Sequence, residues 1–436
     1  MSTRGEMGMS RRGLLAGAGV AAATPAGAAG AASAEPAVDA DWLERVLQRF
    51  ADFGVKAAGG PGDQASGEWL EQELAGYGYR CERQGFEVPY AEMRTATLSV
   101  GDRRAEVFPQ AIVRTTGPGG VTGPLKRSDT PGGLEGAIAL VVLPSRRWVS
   151  TAEPAVARAL ADVLGRGAAA AMIVTSGPTG EVIGLNVSAS APGFPRPVVL
   201  LAPKDAEPFL AASRAGEAAT LIVDGTAGRR GAYNLIARID RGAGKTLIVS
   251  TPRSGWFTCA AERGSGVAVW LWVARWLAAA KPSVNLEFVA TSGHEYIYLG
   301  GEEYLAHKAP KPRDAHMWVH IGASAAARDW HELALGLLPL PSADSQRVLT
   351  ATPDVMETTR AAFRGVTGLE AVYPADRAHA GGELVNVIAA GYSPAIGHYG
   401  GHRFFHTPGD DMRCVSGALT APVAAAFQAA IAATLP

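Results

Sequence analysis

Hydrophobic and polar positions change rhythm twice along this chain of 436 residues. Residues 41–80 carry helical periodicity, interrupted at Gly59-Gly60-Pro61-Gly62, a cluster that reads as a break because glycine and proline punctuate regular structure. Ser66-Gly67-Glu68-Trp69-Leu70-Glu71-Gln72-Glu73-Leu74 predicts a second amphipathic helix that stops at Gly76 or Gly78, and a strand follows over 81–88.

From about 95 to 230 the pattern shifts to short apolar runs between Gly and Pro turns, among them 137–143 and 171–174, with one helix expected from Glu153 to about Leu164. This is the texture of an inserted β-rich domain, and few side chains in it have catalytic chemistry. From Asn234 onward strands and helices alternate. Strands are expected at 246–250, 284–290, 318–321, near 369–373 and at 394–398; helices at 266–280, near Glu302, near 355–363, from Gly382 and at the Ala-rich end. Such alternation predicts an α/β fold with a mixed, mostly parallel central sheet flanked by helices, plus the inserted β-rich domain. Trp270, Trp272 and Trp276 share the 266–280 helix with Val267, Leu271, Val273 and Leu277; that density of apolar side chains marks core rather than a cofactor box.

Charge removes whole classes of partner. With 40 basic and 41 acidic residues and a formal net charge of −1, the chain has no cationic excess for nucleic acid or anionic lipid. The most apolar run, 267–277, is too short to span a bilayer and contains Arg275, so no membrane span is expected. Three cysteines, Cys81, Cys259 and Cys414, lie far apart; they make no disulfide framework, although one bridge remains open after export.

Export is expected from the first residues. Ser10-Arg11-Arg12-Gly13-Leu14-Leu15 sets paired arginines before a weakly apolar Ala/Gly stretch that ends at Ala32-Ser33-Ala34, the order of a twin-arginine signal with an A-x-A-type cleavage site. The mature chain then begins near Glu35 and is secreted or held in the cell envelope. The expected organisation is a signal peptide over 1–34, the N-terminal part of the main domain over 35–94, the inserted domain over 95–230, and the rest of the main domain over 231–436.

In an open α/β sheet ligands bind past the carboxyl ends of the strands. Four segments fall there: Thr251-Pro252-Arg253, 262–266, Gly293-His294-Glu295, and His402 through Asp411. Glu262, Glu295 and His406 from these segments form a candidate zinc set, two carboxylates and one imidazole with an open fourth position, as in catalytic rather than structural sites. Arg253 and Arg263 near the same strand ends weaken binding of a divalent ion. They hold a substrate carboxylate, or one of them pairs with Glu262 and fills the metal's place. His320 reads as a core histidine or an additional ligand, His398 and His402 as loop residues or ligands, and Cys259 as a further thiolate candidate.

At these segments the chain resembles the zinc aminopeptidase and glutaminyl cyclase family, including members with a protease-associated domain inserted before the catalytic sheet. Asn234-Leu235-Ile236-Ala237 looks like the family's entry strand, Gly264-Ser265-Gly266-Val267-Ala268 resembles its Asn-Gly-Ser-Gly-Val helix start, and His406-Thr407-Pro408 with Asp410 or Asp411 resembles its His-Thr-x-x-Asp motif. The departures are equally specific. Thr251-Pro252-Arg253 stands where the family has His-x-Asp, Glu262 where it has a bridging Asp, His294-Glu295 where it has Glu-Glu, and Val319-His320 where it has a further Asp. The resemblance therefore implies at most one zinc, on Glu262, Glu295 and His406, with His294 as the catalytic base and a peptide or small amide as substrate. Two alternatives stand beside this peptidase-like hydrolase: an inactive pseudo-peptidase that binds a peptide or cell-wall ligand, and a glutaminyl cyclase-like acyltransferase.

Overall fold

The computed structural model describes residues 37–190 and 193–436; the paired arginines and the stretch through Ala34 lie outside the described residues. In chain order the elements begin with helices α1 (Ala40–Asp52) and α2 (Pro61–Gly76) and strands β1 (Arg80–Val100), β2 (Arg103–Glu106), β3 (Phe108–Pro109), β4 (Val121–Arg127) and β5 (Ile138–Val142). They continue through α3 (Pro154–Gly165), β6 (Ala170–Val174), β7 (Val198–Leu201), α4 (Glu207–Ala215), β8 (Ala218–Ile239) and β9 (Thr246–Pro252). Next come α5 (Gly264–Ala280), β10 (Asn285–Thr291), α6 (Leu299–His307), β11 (Ala315–Ile321) and the hairpin β12 (Arg328–Leu333) and β13 (Gly336–Ala343). The chain ends with β14 (Arg347–Ala351), α7 (Met356–Ala362), β15 (Val372–Pro374), α8 (Leu384–Ala389), β16 (Ala395–Gly400) and α9 (Gly417–Ala432).

The four central strands β16, β11, β9 and β10 run parallel, while β14 and β8 flank them antiparallel. The expected mixed, mostly parallel sheet is thus present, and period-2 side-chain alternation explains how it is buried on both faces. Leu247, Val249, Phe288, Met317, Val319 and Ile321 point into one cluster with α1, α5 and α9. Ile248, Val289 and Trp318 point the other way, toward α6 and α8. Trp270, Trp272 and Trp276 are buried in the first cluster, so the aromatic stripe is core.

Several boundaries differ from the sequence expectation. The Gly59–Gly62 break is in part the start of α2, because Pro61 occupies its first turn, where a missing N–H costs nothing. The strand expected over 81–88 runs on to Val100, paired antiparallel with β8 from Arg80↔Arg238 to Ser99↔Thr220. Long-range pairing extends it beyond the residues whose own pattern marks a strand. The β12–β13 hairpin, α4 and the short reach of β15 were not legible either.

Within 101–217, β4, β5, β6 and β7 form a parallel run closed by antiparallel β3. This segment packs around two hydrophobic clusters, one of Leu140, Met172 and Phe209 that also takes in Leu98 of β1 and Leu221 of β8, and one around Trp148, Leu160 and Ile173. β4 also pairs with β8, so the sheet continues from one part of the chain into the other. No helix among the described residues is long and apolar enough to cross a membrane, and Cys81, Cys259 and Cys414 are free thiols.

Candidate functional site

The carboxyl ends of the parallel strands gather the predicted residues at one edge of the sheet. The loop after β9 delivers Arg253 and Ser254, and the turn before α5 delivers Glu262 and Arg263. The turn after β10 delivers His294 and Glu295, and the loop after β16 delivers His402 and His406. Two of these turns carry strained backbone: Cys259 and His406 have φ of 44° and 59°, the left-handed region that non-glycine residues rarely adopt.

Glu262, Glu295 and His406, the predicted metal set, are all buried, but the three do not bring ligand atoms within 4.8 Å of one another, a condition that only His402, Asp410 and Cys414 meet among the described residues. His406 Nε2 is 3.2 Å from Glu262 Oε1. Nδ1 of the same ring donates to the carbonyl of Gly184 at 2.9 Å, and Phe405 stacks on it at 4.0 Å between centroids. Between the two carboxylates stands Arg263. Its NH2 lies 2.9 Å from Glu262 Oε1 and 3.2 Å from Glu295 Oε1, and its Nε donates to Ser254 O at 2.7 Å. Ser254 in turn donates to Glu295 Oε2 at 2.7 Å.

A zinc ion on Glu262, Glu295 and His406 does not fit this arrangement, because the place between the carboxylates is filled by a permanently charged guanidinium. An added divalent ion would lie within about 4 Å of that charge in a dry interior, where repulsion is strong. Of the alternatives open in the sequence, the filled metal place is the one the geometry presents. Burial opposes ionisation of Glu262, yet the Arg263 guanidinium and the His406 ring hold its carboxyl down at about 2.

Arg253 does not join the site. It turns back to Asp63 of α2, with Nε 3.1 Å from Oδ1 and both side chains wholly buried. Its remaining donors reach Ala290 O and Tyr233 O at 2.8 Å each. Asp63, which sequence reasoning missed, also accepts from Ser292 Oγ and Gly59 N.

His294, the predicted base, is paired with another missed residue. Its Nδ1 lies 3.1 Å from Glu383 Oε1, and Thr291 Oγ1 donates to the same oxygen at 2.7 Å. Burial, reinforced by Arg263, pushes the imidazole down to about 3, so it is neutral near pH 7 and a weak base. Burial likewise pushes His320 down to about 4. Its Nδ1 bonds Ser250 Oγ at 3.0 Å and its Nε2 is buried without a partner, which makes it a core histidine at the cavity wall rather than a member of the metal set. Both rings line a cavity of about 660 Å³ with Arg147, Tyr298, Tyr373 and Phe405, within the size range of small-molecule and peptide side-chain pockets.

The motif's final carboxylate is Asp410, not Asp411: it receives the backbone N–H groups of Ala261 and Glu262 at 2.8 and 2.9 Å and so fixes the turn that presents Glu262. His402, Asp410 and Cys414 place donor atoms within 4.8 Å of one another. The Cys414 thiol, however, donates to Gly409 O and is pushed up by burial and by Asp410. Cys259 is a buried thiol pushed up by burial in the same way, and no convergent group of metal-ligating side chains among the described residues includes it. The 101–217 segment is not chemically silent, since Gly184 holds His406 and the Asn186 side chain accepts from Trp256 Nε1 at 2.8 Å.

The fold and the placement of these residues past the sheet's carboxyl edge define a zinc-exopeptidase-type architecture. Residues 249–431 match the model of peptidase family M28. Solved structures of similar fold include an aminopeptidase from Aneurinibacillus sp. strain AM-1, with TM-score 0.65 and 20% identity over 91% of this chain and 94% of that one. They also include the zinc aminopeptidase BSAP from Bacillus subtilis, with TM-score 0.69 and 17% identity over 91% and 95%. A peptidase M28 precursor from Shewanella amazonensis SB2B gives 0.67 and 17% over 90% and 96%. No curated protein matches the chain.

Proposed function

We propose that this protein is a pseudo-peptidase: it binds a peptide or small amide in the cavity beside His294 and His320 and does not hydrolyse it by metal chemistry. The observation that carries this reading is the Arg263 guanidinium between Glu262 and Glu295. Thr251, Arg253 and Val319, which bring no metal-binding group to positions where the family has ligands or their partners, support it. So does His294, a neutral imidazole where the family has a carboxylate base. The protein is exported by the twin-arginine route, and its 95–230 segment is protease-associated-like and lends Gly184 to the site.

The test is elemental analysis of mature protein purified without chelator from a zinc-supplemented culture, beside a Glu295→Ala control. Turnover of aminoacyl and N-terminal glutaminyl substrates is assayed on the same samples, and binding of a dipeptide library is followed by thermal shift. The expected result is no zinc that depends on Glu295, no turnover, and a shift with a subset of peptides. About one zinc per chain that is lost in the control, together with turnover, would overturn the proposal in favour of a mononuclear hydrolase.

A further inference from the structure

We infer that His402, Asp410 and Cys414 form a closed zinc site, which the chain fills when the ion is supplied and to which Glu262, Glu295 and His406 contribute no ligand.

The three side chains come from the loop after β16 and the turn that leads into α9, and each is at most 1% exposed. One donor atom from each lies within 4.8 Å of the other two. His402 Nε2 independently points to a ligand: it is buried, has no hydrogen-bond partner, and faces the carboxylate 3.5 Å from Asp410 Oδ1. A buried nitrogen left in that state is costly. Two donors bound at about 2.0–2.1 Å to one tetrahedral ion lie about 3.3 Å apart, and a sulfur bound at about 2.3 Å lies slightly farther from either. The His402–Asp410 pair therefore already has the spacing of neighbouring ligands.

Each donor is also held from behind. Ser324 Oγ lies 3.0 Å from His402 Nδ1, which engages that nitrogen and leaves Nε2 for an ion, the usual support of a metal-bound imidazole. Asp410 is fixed by the N–H groups of Ala261 and Glu262. The turn that carries Cys414 is capped by the Asp411 side chain, which accepts from Arg413 N at 2.9 Å.

The donor set also selects the ion. A thiolate with an imidazole disfavours magnesium and calcium. One carboxylate, one thiolate and one neutral imidazole sum to −2, which a zinc ion cancels, so no net charge is left in the dry interior. On loading, the Cys414 proton passes to solvent as the zinc–sulfur bond forms. The Gly409 carbonyl, 3.4 Å from Sγ and until then the acceptor of that proton, becomes available for a fourth position. Such a site ties the loop after β16 to the start of α9 and has no open face for a substrate.

The experiment starts from mature protein stripped with chelator, whose melting temperature is the baseline. It is dialysed against zinc and desalted, beside Cys414→Ala, His402→Ala and Glu295→Ala. The wild type and Glu295→Ala are each expected to retain about one zinc per chain and to melt higher when loaded, and the other two variants to retain none. X-ray absorption on the loaded wild type is expected to show one sulfur at about 2.3 Å beside nitrogen and oxygen at about 2.0–2.1 Å; this reads the ligands even if a variant fails to fold. No zinc retained by folded wild type, a shell without sulfur, or full retention by Cys414→Ala would overturn the inference. It does not rest on the pseudo-peptidase reading: zinc lost in Glu295→Ala together with turnover would sink that reading, whereas this site is judged by the sulfur ligand and by Cys414.

Discussion

Arg253 and Asp63 form an ion pair in which neither side chain touches solvent, joining the end of β9 to the first turn of α2 with Nε 3.1 Å from Oδ1. Arg253 also lies over the Tyr233 ring at 4.6 Å, so an arginine at a position where the family resemblance places an acid has become part of the framework under the site.

Breaking that pair from one side leaves a buried charge unpaired. Asp63→Ala and Arg253→Met are each expected to lower unfolding free energy by about 3–5 kcal/mol, whereas the double variant costs less than the sum, because it leaves no orphaned charge. Urea unfolding of the three variants measures this; strict additivity would show that the two side chains do not act as a pair.

Acid sensitivity should begin well above the carboxylate range. Burial pushes His294 to about 3, His320 to about 4 and His398 well below its ordinary 6.5. The unfolded chain therefore binds more protons than the native one below pH 6.5, and stability rises with pH in that window. It is complete above about pH 6.5 and falls as pH drops toward 4 and then 3, with the Glu262 contribution following as pH falls from 4.5 toward about 2. Melting temperature against pH should show this slope, and His320→Gln, which takes up no proton, should make it shallower. An unchanged slope in the variant would remove His320 from the account.

Ser254 is a small side chain with several partners: it donates to Glu295 Oε2 at 2.7 Å and accepts from the backbone N–H of Gly293 at 2.9 Å and of His294 at 3.3 Å. Ser254→Ala strands these groups in the interior and is expected to cost about 2–3 kcal/mol. It should also loosen the 293–296 turn, read as faster amide exchange at Gly293 and His294. A loss below about 0.5 kcal/mol, the level of ordinary surface changes, would contradict this.

Removing metal should do nothing to the natural protein. Because Arg263 supplies the charge that stands between Glu262 and Glu295, a strong chelator is expected to leave the melting temperature within about one degree, in contrast to proteins whose metal contributes folding energy. A marked fall, suppressed by re-adding zinc, would reveal an ion on which the fold depends.

The sheet and its helices were legible because strand alternation and the continuous apolar face of α5 are local signals. The burial of Glu262, Glu295 and His406 past the strand ends follows from their place in the sequence pattern. What stayed hidden depends on contacts across the fold. The choice between Arg253 and Arg263 as the filler of the metal's place turned on which guanidinium found Asp63 first in space, and Asp63 is 190 residues away from Arg253 in sequence. Glu383 followed a Gly-Gly pair at a helix start, with nothing local to tie it to His294. Gly184 acts through a backbone carbonyl, which any residue type would present.

The stretch 101–217 enters and leaves the main body through β1 and β8, which are hydrogen-bonded neighbours with Ser99 opposite Thr220. In topological terms it is the elaborated tip of one hairpin, and a short turn joining residue 100 to 218 would close the chain without rethreading any other strand. Such a trimmed protein would lose the Gly184 carbonyl that orients His406 and the Asn186 acceptor of Trp256. The architecture thus makes the segment removable as a unit while the site depends on it, and each subsequent change in that tip is free to alter the cleft without disturbing the order of the central strands.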